Sequence, residues 1–514
     1  EGDFDPSRPI FLSAACEARL HRARMAEVSL AQATCKFIDE CPTPFHLCAE
    51  TGALLKAAGF TEIAEDGAWR PLLKPGGSYF YTRAGTTLVA FHVGAAFEAG
   101  NGINVVGGHT DSPVLKLKPS SKKSAHGYLQ LNVETYGGGL WHTWFDRELT
   151  LAGSVIVKQA DGSFARRLLF VRRPLMRVPS LCIHLRTAEE REKFAPNKET
   201  HLAPILACAV SEALNADKPS ASSLGGRHAR ELLRAIGEEL GCAPGDVLDF
   251  DLTLCDTQPS ATWGLADEFL SAPRLDNQLT CYLAMLALID HAKEAPPSQP
   301  DVAMIALFDH EEVGSGSAQG ACSTVMSDAL QRVSSCFAPD ERHASVEALS
   351  KTARRSFLMA ADLAHAVHPN YAEKHEKEHA PKLNSGTVIK SNDNQRYATN
   401  DATGFVVREL ARLAGLTVQE FMVKNDCPCG STIGPLISQS TGLRTVDIGA
   451  PCLSMHSIRE TVGVADVENY LQLMKAFFGR FAELEGKCNF GLDFGAVRLA
   501  SMSVCQPSVK APAA

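Results

Sequence analysis

Two adjacent glutamates, Glu311 and Glu312, are the residues of this chain whose types and spacing point most directly to chemistry. They lie in the motif DHEEVGS, directly after the apolar run 302–308, which predicts a buried strand. Neighbouring carboxylates at a strand end repel each other unless a positive charge lies beside them, and a metal ion can supply that charge. The pair therefore predicts a metal site in which one carboxylate binds the ion and the other transfers protons. The alternative is an ordinary solvated turn that contains two acidic residues.

Other potential metal ligands also stand at the ends of predicted strands or at the start of a helix. They are His109 and Asp111 after the strand at 103–106, Asp362 after the strand at 357–360, Asp276 where PRLDN opens a helix, and His456 in SMHSIRE after the strand at 445–448. A mixture of imidazole and carboxylate ligands suits zinc, or manganese where carboxylates dominate.

The charge of these ligands favours two ions over one. If the three carboxylates bind ionised and the two histidines bind neutral, two divalent cations leave a net charge of about +1. A single cation would leave surplus negative charge in a buried site, which is costly. The charge count thus predicts two ions, with Asp276 as the bridging ligand.

The elements that must position these residues alternate between strands and helices. Predicted helices cover 13–40, 275–293, 403–414 and 467–484, and predicted strands lie at 103–106, 302–308, 357–360 and 445–448. Residues 77–94 are predicted to form two strands about a turn at Ala84 and Gly85. This alternation predicts an α/β fold with a mixed or mostly parallel central sheet flanked by helices, and functional groups beyond the strand ends.

Residues 116–263 differ from the rest of the chain in composition and in residue pattern. They begin with the basic stretch KLKPSSKKS, continue with the alternating segments LQLNVETY and SVIVKQADGSF, and include a polar helical section at 229–240. This predicts a discontinuous domain formed by 1–115 and 264–514, interrupted by a β-rich insertion at 116–263. The last residues, 506–514, are predicted to form a loose tail.

Composition excludes several classes of protein. The formal net charge of -9 and the absence of a Lys/Arg-rich stripe argue against a nucleic-acid partner. No run of about 18 apolar residues is present, so we expect no membrane span. The 16 cysteines show no repeating spacing and predict a reducing compartment, hence a cytoplasmic location. Cys427 and Cys429 are too close in sequence for a zinc knuckle, and we expect a structural or incidental role for them.

Eight segments, taken in order, resemble the aspartyl aminopeptidase family of metallopeptidases over about residues 37–478. The segments are CPTPFH, GGHTDSP, PRLDNQ, FDHEEVGSGSAQGA, ADLAHAVHPNY, NQRYATN, NDCPCGSTIGP and LSMHSIRE. The resemblance implies a zinc-dependent exopeptidase fold and a cocatalytic two-zinc aminopeptidase that removes N-terminal Asp or Glu from peptides. It also implies that the insertion is a dimerisation domain and that dimers assemble into a tetrahedral dodecamer.

The resemblance also implies a role for each ligand. One metal would be bound by His109, Asp276 and Asp362, and the other by Asp276, Glu312 and His456. Two Zn²⁺ ions per subunit are implied, with Mn²⁺ or Co²⁺ able to substitute at one site. Glu311 would be the general base, and Asp111 would orient the imidazole of His109.

Further residues are implied to contact the substrate, together with Glu311 and Asp362. His184 in LCIHL would reach the active site of a neighbouring subunit, and His365, Lys390 and Tyr397 would line the site of their own subunit. Lys390 is the candidate cation for an acidic side chain, because a compact ammonium suits a short carboxylate. The segments CPTPF and NDCPC carry Cys where many relatives carry Ser, a departure that leaves the chemistry untouched.

Two other functions stay open from the sequence. The motif HEKEH at 375–379 spells the zincin signature, in which two histidines on one helix face bind zinc. Its flanks are polar and no third ligand follows, so we expect a solvated turn or surface helix there. The second is a non-catalytic assembly protein on a peptidase fold. In such a protein we would expect the general base or a metal ligand to be lost, whereas Glu311 and the five ligand positions are all intact.

Overall fold

The computed structural model describes residues 30–208, 224, 226–339 and 346–488 of the 514-residue chain. Its largest element is a nine-stranded mixed sheet, which confirms the predicted fold class. In sheet order its strands are Thr61–Glu62, Ser78–Arg83, Thr87–Val93, Val302–Phe308, Ile103–His109, Phe357–Ala361, Arg444–Gly449, Thr387–Lys390 and Val418–Phe421.

Four neighbouring strands at the centre of this sheet run parallel. They are Val302–Phe308, Ile103–His109, Phe357–Ala361 and Arg444–Gly449. The register places Phe308 beside His109, so both strands end at the same level. Their carboxyl ends therefore lie along one edge, where the loops that carry functional side chains begin.

Both faces of the sheet are buried, which explains why its central strands read as continuous apolar runs. Within Val302–Phe308 the odd-numbered residues pack into one hydrophobic core and the even-numbered residues into the other, as the two-residue period of a strand requires. The first core is covered by residues 30–40 and by the helices Pro44–Ala57, Leu275–Glu294, Asp401–Ala414 and Val464–Glu485. The second is covered by the helices Val325–Cys336, Val346–Arg355 and Ile433–Thr441.

A second sheet closes into a barrel. In order its seven strands are Val247–Asp256, Val114–Ala125, Tyr128–Tyr136, Ile205–Cys208, Met176–Arg177, Glu148–Lys158 and Phe164–Phe170. Closure follows because Val247–Asp256 also pairs with Glu148–Lys158. The barrel encloses its own core, to which the helix Arg230–Leu240 contributes its apolar face. The short helix Ala188–Glu192 lies in the connection between two barrel strands.

A third, five-stranded sheet joins loops from distant parts of the chain. Its strands, in order, are Ala261–Trp263, Phe269–Ala272, Glu460–Gly463, Pro451–Leu453 and Ala364–His365. No helix in the described residues is long and apolar enough to cross a membrane.

The sequence placed some element ends a few residues away from where they lie. The predicted helix 403–414 begins at Asp401, because the side chain of Asn400 caps it by accepting the backbone N–H of Thr403. The helix predicted at 13–40 is seen at 30–40, while 13–29 and the predicted tail 506–514 fall outside the described residues. The division of the chain at 116 and 263 remains a prediction, although the first barrel strand already begins at Val114.

Candidate metal centre

Three of the sequence-predicted ligands are brought together by the parallel strands. His109 is the last residue of its strand, Asp362 directly follows Phe357–Ala361, and Glu312 lies one short turn beyond Val302–Phe308. Because these strands are neighbours and run in the same direction, the three side chains meet at one edge of the sheet. All three groups are largely buried, with side-chain exposures between 2% and 14%.

The two remaining ligands arrive from the third sheet. Asp276 follows the strand Phe269–Ala272, and His456 precedes the strand Glu460–Gly463. Those strands pair antiparallel, so the two loops lie side by side. Asp276 lies within the helix Leu275–Glu294 but departs from helical torsions, with φ -81° and ψ 102°.

The five side chains form two groups that share Asp276. Nε2 of His109 lies 3.3 Å from Oδ1 of Asp276 and 3.6 Å from Oδ1 of Asp362. Nε2 of His456 lies 3.5 Å from Oδ2 of Asp276 and 3.3 Å from Oε1 of Glu312. The two oxygens of one carboxylate therefore face two different histidines.

These distances suit tetrahedral metal coordination. With metal–ligand bonds of about 2.0–2.1 Å, two ligands of a tetrahedral zinc lie about 3.3 Å apart. Oδ1 of Asp276, Oε1 of Glu312 and Oδ1 of Asp362 are buried and have no hydrogen-bond donor within the described residues. Buried carboxylate oxygens need such a partner or a cation. The donor set therefore fits zinc.

The protein groups alone leave the cluster electrostatically unbalanced. Burial raises the pKa of Glu312 to about 7. Burial opposes a charge on His456, yet the carboxylates of Asp276 and Glu312 raise its pKa to about 12. A glutamate that resists ionisation beside a histidine that holds its proton indicates an excess of negative charge at the site, which divalent cations would relieve.

Glu311 has a position different from that of its neighbour. Its nearest carboxylate oxygen is 4.0 Å from Nε2 of His109, further than the oxygens of Asp276 and Asp362, which lie 3.3 Å and 3.6 Å from that nitrogen. Burial raises its pKa well above the usual range, and the charges of Asp362 and Glu312 add to the rise. A buried carboxylate beside the ligands, with a raised pKa, is suited to accept and return a proton.

Asp111 connects the two glutamates to the cluster. Its carboxylate accepts the backbone N–H of Glu311 and that of Glu312, each at 3.0 Å. Nδ1 of His109 lies 3.0 Å from the backbone carbonyl of Asp111 and 3.4 Å from its carboxylate. The hydroxyl of Tyr136 donates to the same carboxylate at 2.7 Å. A single buried acid thus orients a histidine and the loop that carries both glutamates.

A cavity of about 480 Å³ opens onto the cluster. Three residues that the sequence assigned to the substrate line it: His365, Lys390 and Tyr397. Lys390 is 2% exposed, and its Nζ donates to the carbonyl of Leu363 at 3.1 Å and lies 3.6 Å from Oδ2 of Asp362. Lys390 is therefore a buried lysine and not a solvated one.

His184 is not brought to this cavity within its own chain. It lies in the exposed turn Ile183–Leu185 of the inserted segment, between the exposed side chains of Leu181 and Leu185. The structure holds one chain, so the predicted role of His184 across subunits remains a prediction.

The zincin-like motif does not have zincin geometry. Residues 375–379 form bends and not a helix. Nε2 of His375 accepts the backbone N–H of His368 at 3.1 Å, and Nδ1 of His379 contacts Glu376 at 2.6 Å. The two histidines are engaged locally and share no helix face.

Sequence reasoning missed several residues that touch the site. Glu460 is buried and accepts the backbone N–H groups of Asp276 and His456. Arg396 lines the cavity, and its guanidinium donates to the carbonyl of Cys429. Glu460 lies four residues after His456 in LSMHSIRE, and this proximity was the available signal; Tyr136, on a barrel strand, offered none.

The chain is similar to characterised peptidases along most of its length. The family described as aminopeptidase I zinc metalloprotease (M18) matches residues 37–478. The aspartyl aminopeptidase of Dictyostelium discoideum is 45% identical over 466 residues, covering 87% of this chain and 96% of that protein. The aspartyl aminopeptidase of Aspergillus oryzae is 44% identical over 476 residues, covering 87% of this chain and 95% of that protein.

Solved structures are also similar to this chain over most of its length. The cryo-EM structure of the Ape4 and Nbr1 complex contains a chain with a TM-score of 0.87 and 40% identity, covering 92% of this chain and 89% of that one. The structure of the Saccharomyces cerevisiae mApe1 dodecamer has a TM-score of 0.78 and 31% identity, covering 89% of this chain and 98% of that one.

Proposed function

Because this chain belongs to the M18 family of zinc metalloproteases, among the aspartyl aminopeptidases, and is a metalloaminopeptidase, we propose that it removes N-terminal Asp or Glu from peptides with two zinc ions. The observation that carries the two-ion proposal is the position of the Asp276 carboxylate between two histidines. Its Oδ1 faces His109 and its Oδ2 faces His456. One ion would be held by His109, Asp276 and Asp362. The other would be held by Asp276, Glu312 and His456.

Hydrolysis needs an activated water and a proton carrier. Zinc held by these residues would supply a Lewis acid that polarises the scissile carbonyl and lowers the pKa of the attacking water. Glu311 accepts the proton of that water as the new C–O bond forms. It then donates the proton to the amine as the C–N bond breaks, so one base serves both halves of the reaction. Asp111 keeps Glu311 in place through its backbone N–H.

Selectivity for an acidic residue is assigned to Lys390. Its side chain lines the cavity, and its ammonium lies 5.1 Å from the centre of the Tyr397 ring. The ammonium donates to the carbonyl of Leu363 and lies 3.6 Å from Asp362, and an ammonium has three hydrogens, so it could also donate to a substrate carboxylate. The low exposure of Lys390 strengthens such an ion pair relative to one in water.

Self-association is part of the same proposal. The related mApe1 structure is described as a dodecamer, and we propose that this chain forms dimers and a tetrahedral dodecamer through its inserted segment. Three apolar side chains near His184 are exposed, and they support an interface there: Leu181, Ile183 and Leu185. His184 would then enter the active site of the neighbouring subunit.

The proposal is tested by measuring kcat/KM for Asp-X, Glu-X and Leu-X peptides with the same X, before and after zinc removal and return. We expect acidic first residues to be preferred and activity to require zinc. Preference for Leu-X, or activity undiminished by chelation, would overturn it.

Lys390→Met isolates the specificity step. Loss of a buried charge partner costs about 2–5 kcal/mol, so the Asp-X to Leu-X ratio should fall about 30-fold or more. Lys424→Met is the matched control, because Lys424 makes an exposed contact with Asp426. An unchanged ratio in Lys390→Met would remove this residue from the specificity proposal and leave the reaction itself unaffected.

A further inference from the structure

Glu460 is a buried acid with an unusual pair of partners. It is 1% exposed, and each of its carboxylate oxygens accepts one backbone N–H. Oε2 accepts from Asp276 at 2.9 Å, and Oε1 accepts from His456 at 2.6 Å. Both donors belong to residues that the proposed function assigns to zinc.

Strand register explains how one carboxylate reaches both loops. Glu460 pairs with Ala272 across the antiparallel strands of the third sheet. Asp276 lies four residues after Ala272, and His456 lies four residues before Glu460. The two loops therefore leave the paired strands at the same end and at matching distances, and Glu460 stands between them.

The conformation of His456 needs such support. Its φ is 64°, in the left-handed region that costs a residue with a side chain about 1–2 kcal/mol. The hydrogen bond from its N–H to Glu460 stabilises this conformation, while the carbonyl of Gly138, 3.0 Å from Nδ1, fixes the imidazole ring. With both atoms held, Nε2 points toward Asp276 and Glu312.

Glu460 has the geometry of Asp111 on the other side of the cluster. Asp111 accepts the backbone N–H groups of Glu311 and Glu312. We propose that Glu460 is a positioning residue of the metal centre, which sets the affinity for zinc by holding the backbones of Asp276 and His456. This inference rests on the proposed function, because it takes these two residues to be ligands.

A purely structural role is the alternative. Within the described residues no Lys or Arg forms an ion pair with Glu460, and its carboxylate is held by the backbone N–H groups of Asp276 and His456. A carboxylate buried with only two backbone donors is costly unless a cation lies close. Zinc on the ligands that Glu460 holds would supply that cation, which ties the acid to the metal and not to the fold alone.

The test compares zinc affinity in Glu460→Gln with that in Asp466→Asn. Asp466 is a matched control: it is 0% exposed and accepts two backbone N–H groups, from Asn384 at 2.6 Å and from Gly386 at 2.8 Å, but neither donor is a ligand. Zinc dissociation constants are measured by competition with a chromophoric chelator, and chemical unfolding of the zinc-free proteins is measured in parallel.

Loss of a group that orients metal ligands weakens metal binding by about 10–100-fold, and we expect Glu460→Gln to do so. We also expect its turnover to recover at raised free zinc, because the catalytic groups are intact. Asp466→Asn should lower stability and leave zinc affinity within about twofold of wild type.

Zinc affinity in Glu460→Gln within about twofold of wild type, or an equal loss in Asp466→Asn, would overturn the inference. If Glu460→Gln yields no folded protein, the same titration on Glu460→Asp decides, because its shorter side chain cannot reach both N–H groups. A wild-type protein that binds no zinc would instead refute the proposed function.

Discussion

Glu311→Gln and Glu312→Gln are adjacent, isosteric substitutions that should impair different steps. Oε1 of Glu312 lies 3.3 Å from Nε2 of His456 and is a buried oxygen with no hydrogen-bond donor in the part of the chain that the structure describes. The nearest oxygen of Glu311 lies 4.0 Å from Nε2 of His109. Gln keeps the shape of Glu and removes its charge and its basicity. Zinc binding should therefore depend on the second residue, and proton transfer on the first.

The expected magnitudes differ in kind. General base catalysis contributes about 10²–10⁴-fold, so Glu311→Gln should lower kcat by that factor with zinc content unchanged. A four-ligand zinc site is worth about 10–16 kcal/mol, or roughly 3 kcal/mol per ligand, so Glu312→Gln should weaken one site about 100-fold. Its turnover should rise again when free zinc is raised, and that of Glu311→Gln should not.

Metal analysis after dialysis, zinc titration and single-substrate kinetics on each variant provide the measurements. The assignment of roles is refuted if Glu311→Gln loses zinc as readily as Glu312→Gln, or if it turns over at the wild-type rate. Asp111 accepts an N–H from both residues, so loss of backbone order would affect both variants alike. A difference between them therefore reports the side chains.

Three further outcomes follow from the geometry. His375→Ala should keep turnover within about twofold of wild type, because its imidazole accepts a local N–H; loss of activity in kinetic assays would restore the zincin alternative. Burial lowers the pKa of His291 to about 4, so the stability that its neutral form provides is present above pH 6.5 and is lost as the pH falls from there toward 4. His291→Leu should therefore flatten the acid loss in urea unfolding by at most about 3 kcal/mol, and identical pH profiles would contradict it. Mixing subunits of His184→Ala and Glu311→Gln before assembly should restore about a quarter of the sites through random pairing, whereas no recovery would place His184 in its own subunit.

The alternation of strands and helices was enough to predict that three of the proposed ligands lie at one edge of the sheet. His109, Glu312 and Asp362 each follow an apolar run that is buried on both faces of the sheet, and apolar runs of this kind are visible in sequence. Once neighbouring strands are parallel, the residues after them must meet at one edge. The local pattern and the topology agree here, and the prediction of a shared site needed little else.

The contribution of the third sheet could not be predicted in the same way. Asp276 and His456 are brought together by pairing between Phe269–Ala272 and Glu460–Gly463, strands of four residues each that are separated by most of the second half of the chain. Short strands carry little periodicity, and register between distant segments is set by packing that one sequence does not display. Glu460 and Tyr136 were missed because their importance comes from the residues that they contact in the folded chain, and one sequence does not display those contacts.

The structure also changes the charge argument for two ions. The count made from the sequence included three ligand carboxylates, but Asp111 and Glu460 also lie buried against them, and Glu311 lies beside them with 15% of its side chain exposed. Lys390 is a buried ammonium in contact with Asp362. Six carboxylates and one ammonium leave five negative charges, so one divalent cation would leave three uncompensated and two would leave one. Uncompensated charge in a buried site is costly, and the raised pKa values of Glu311 and Glu312 show that cost in the protein groups themselves. The supporting carboxylates were not included when only the proposed ligands were counted. Their negative charge therefore strengthens the proposal of a second ion.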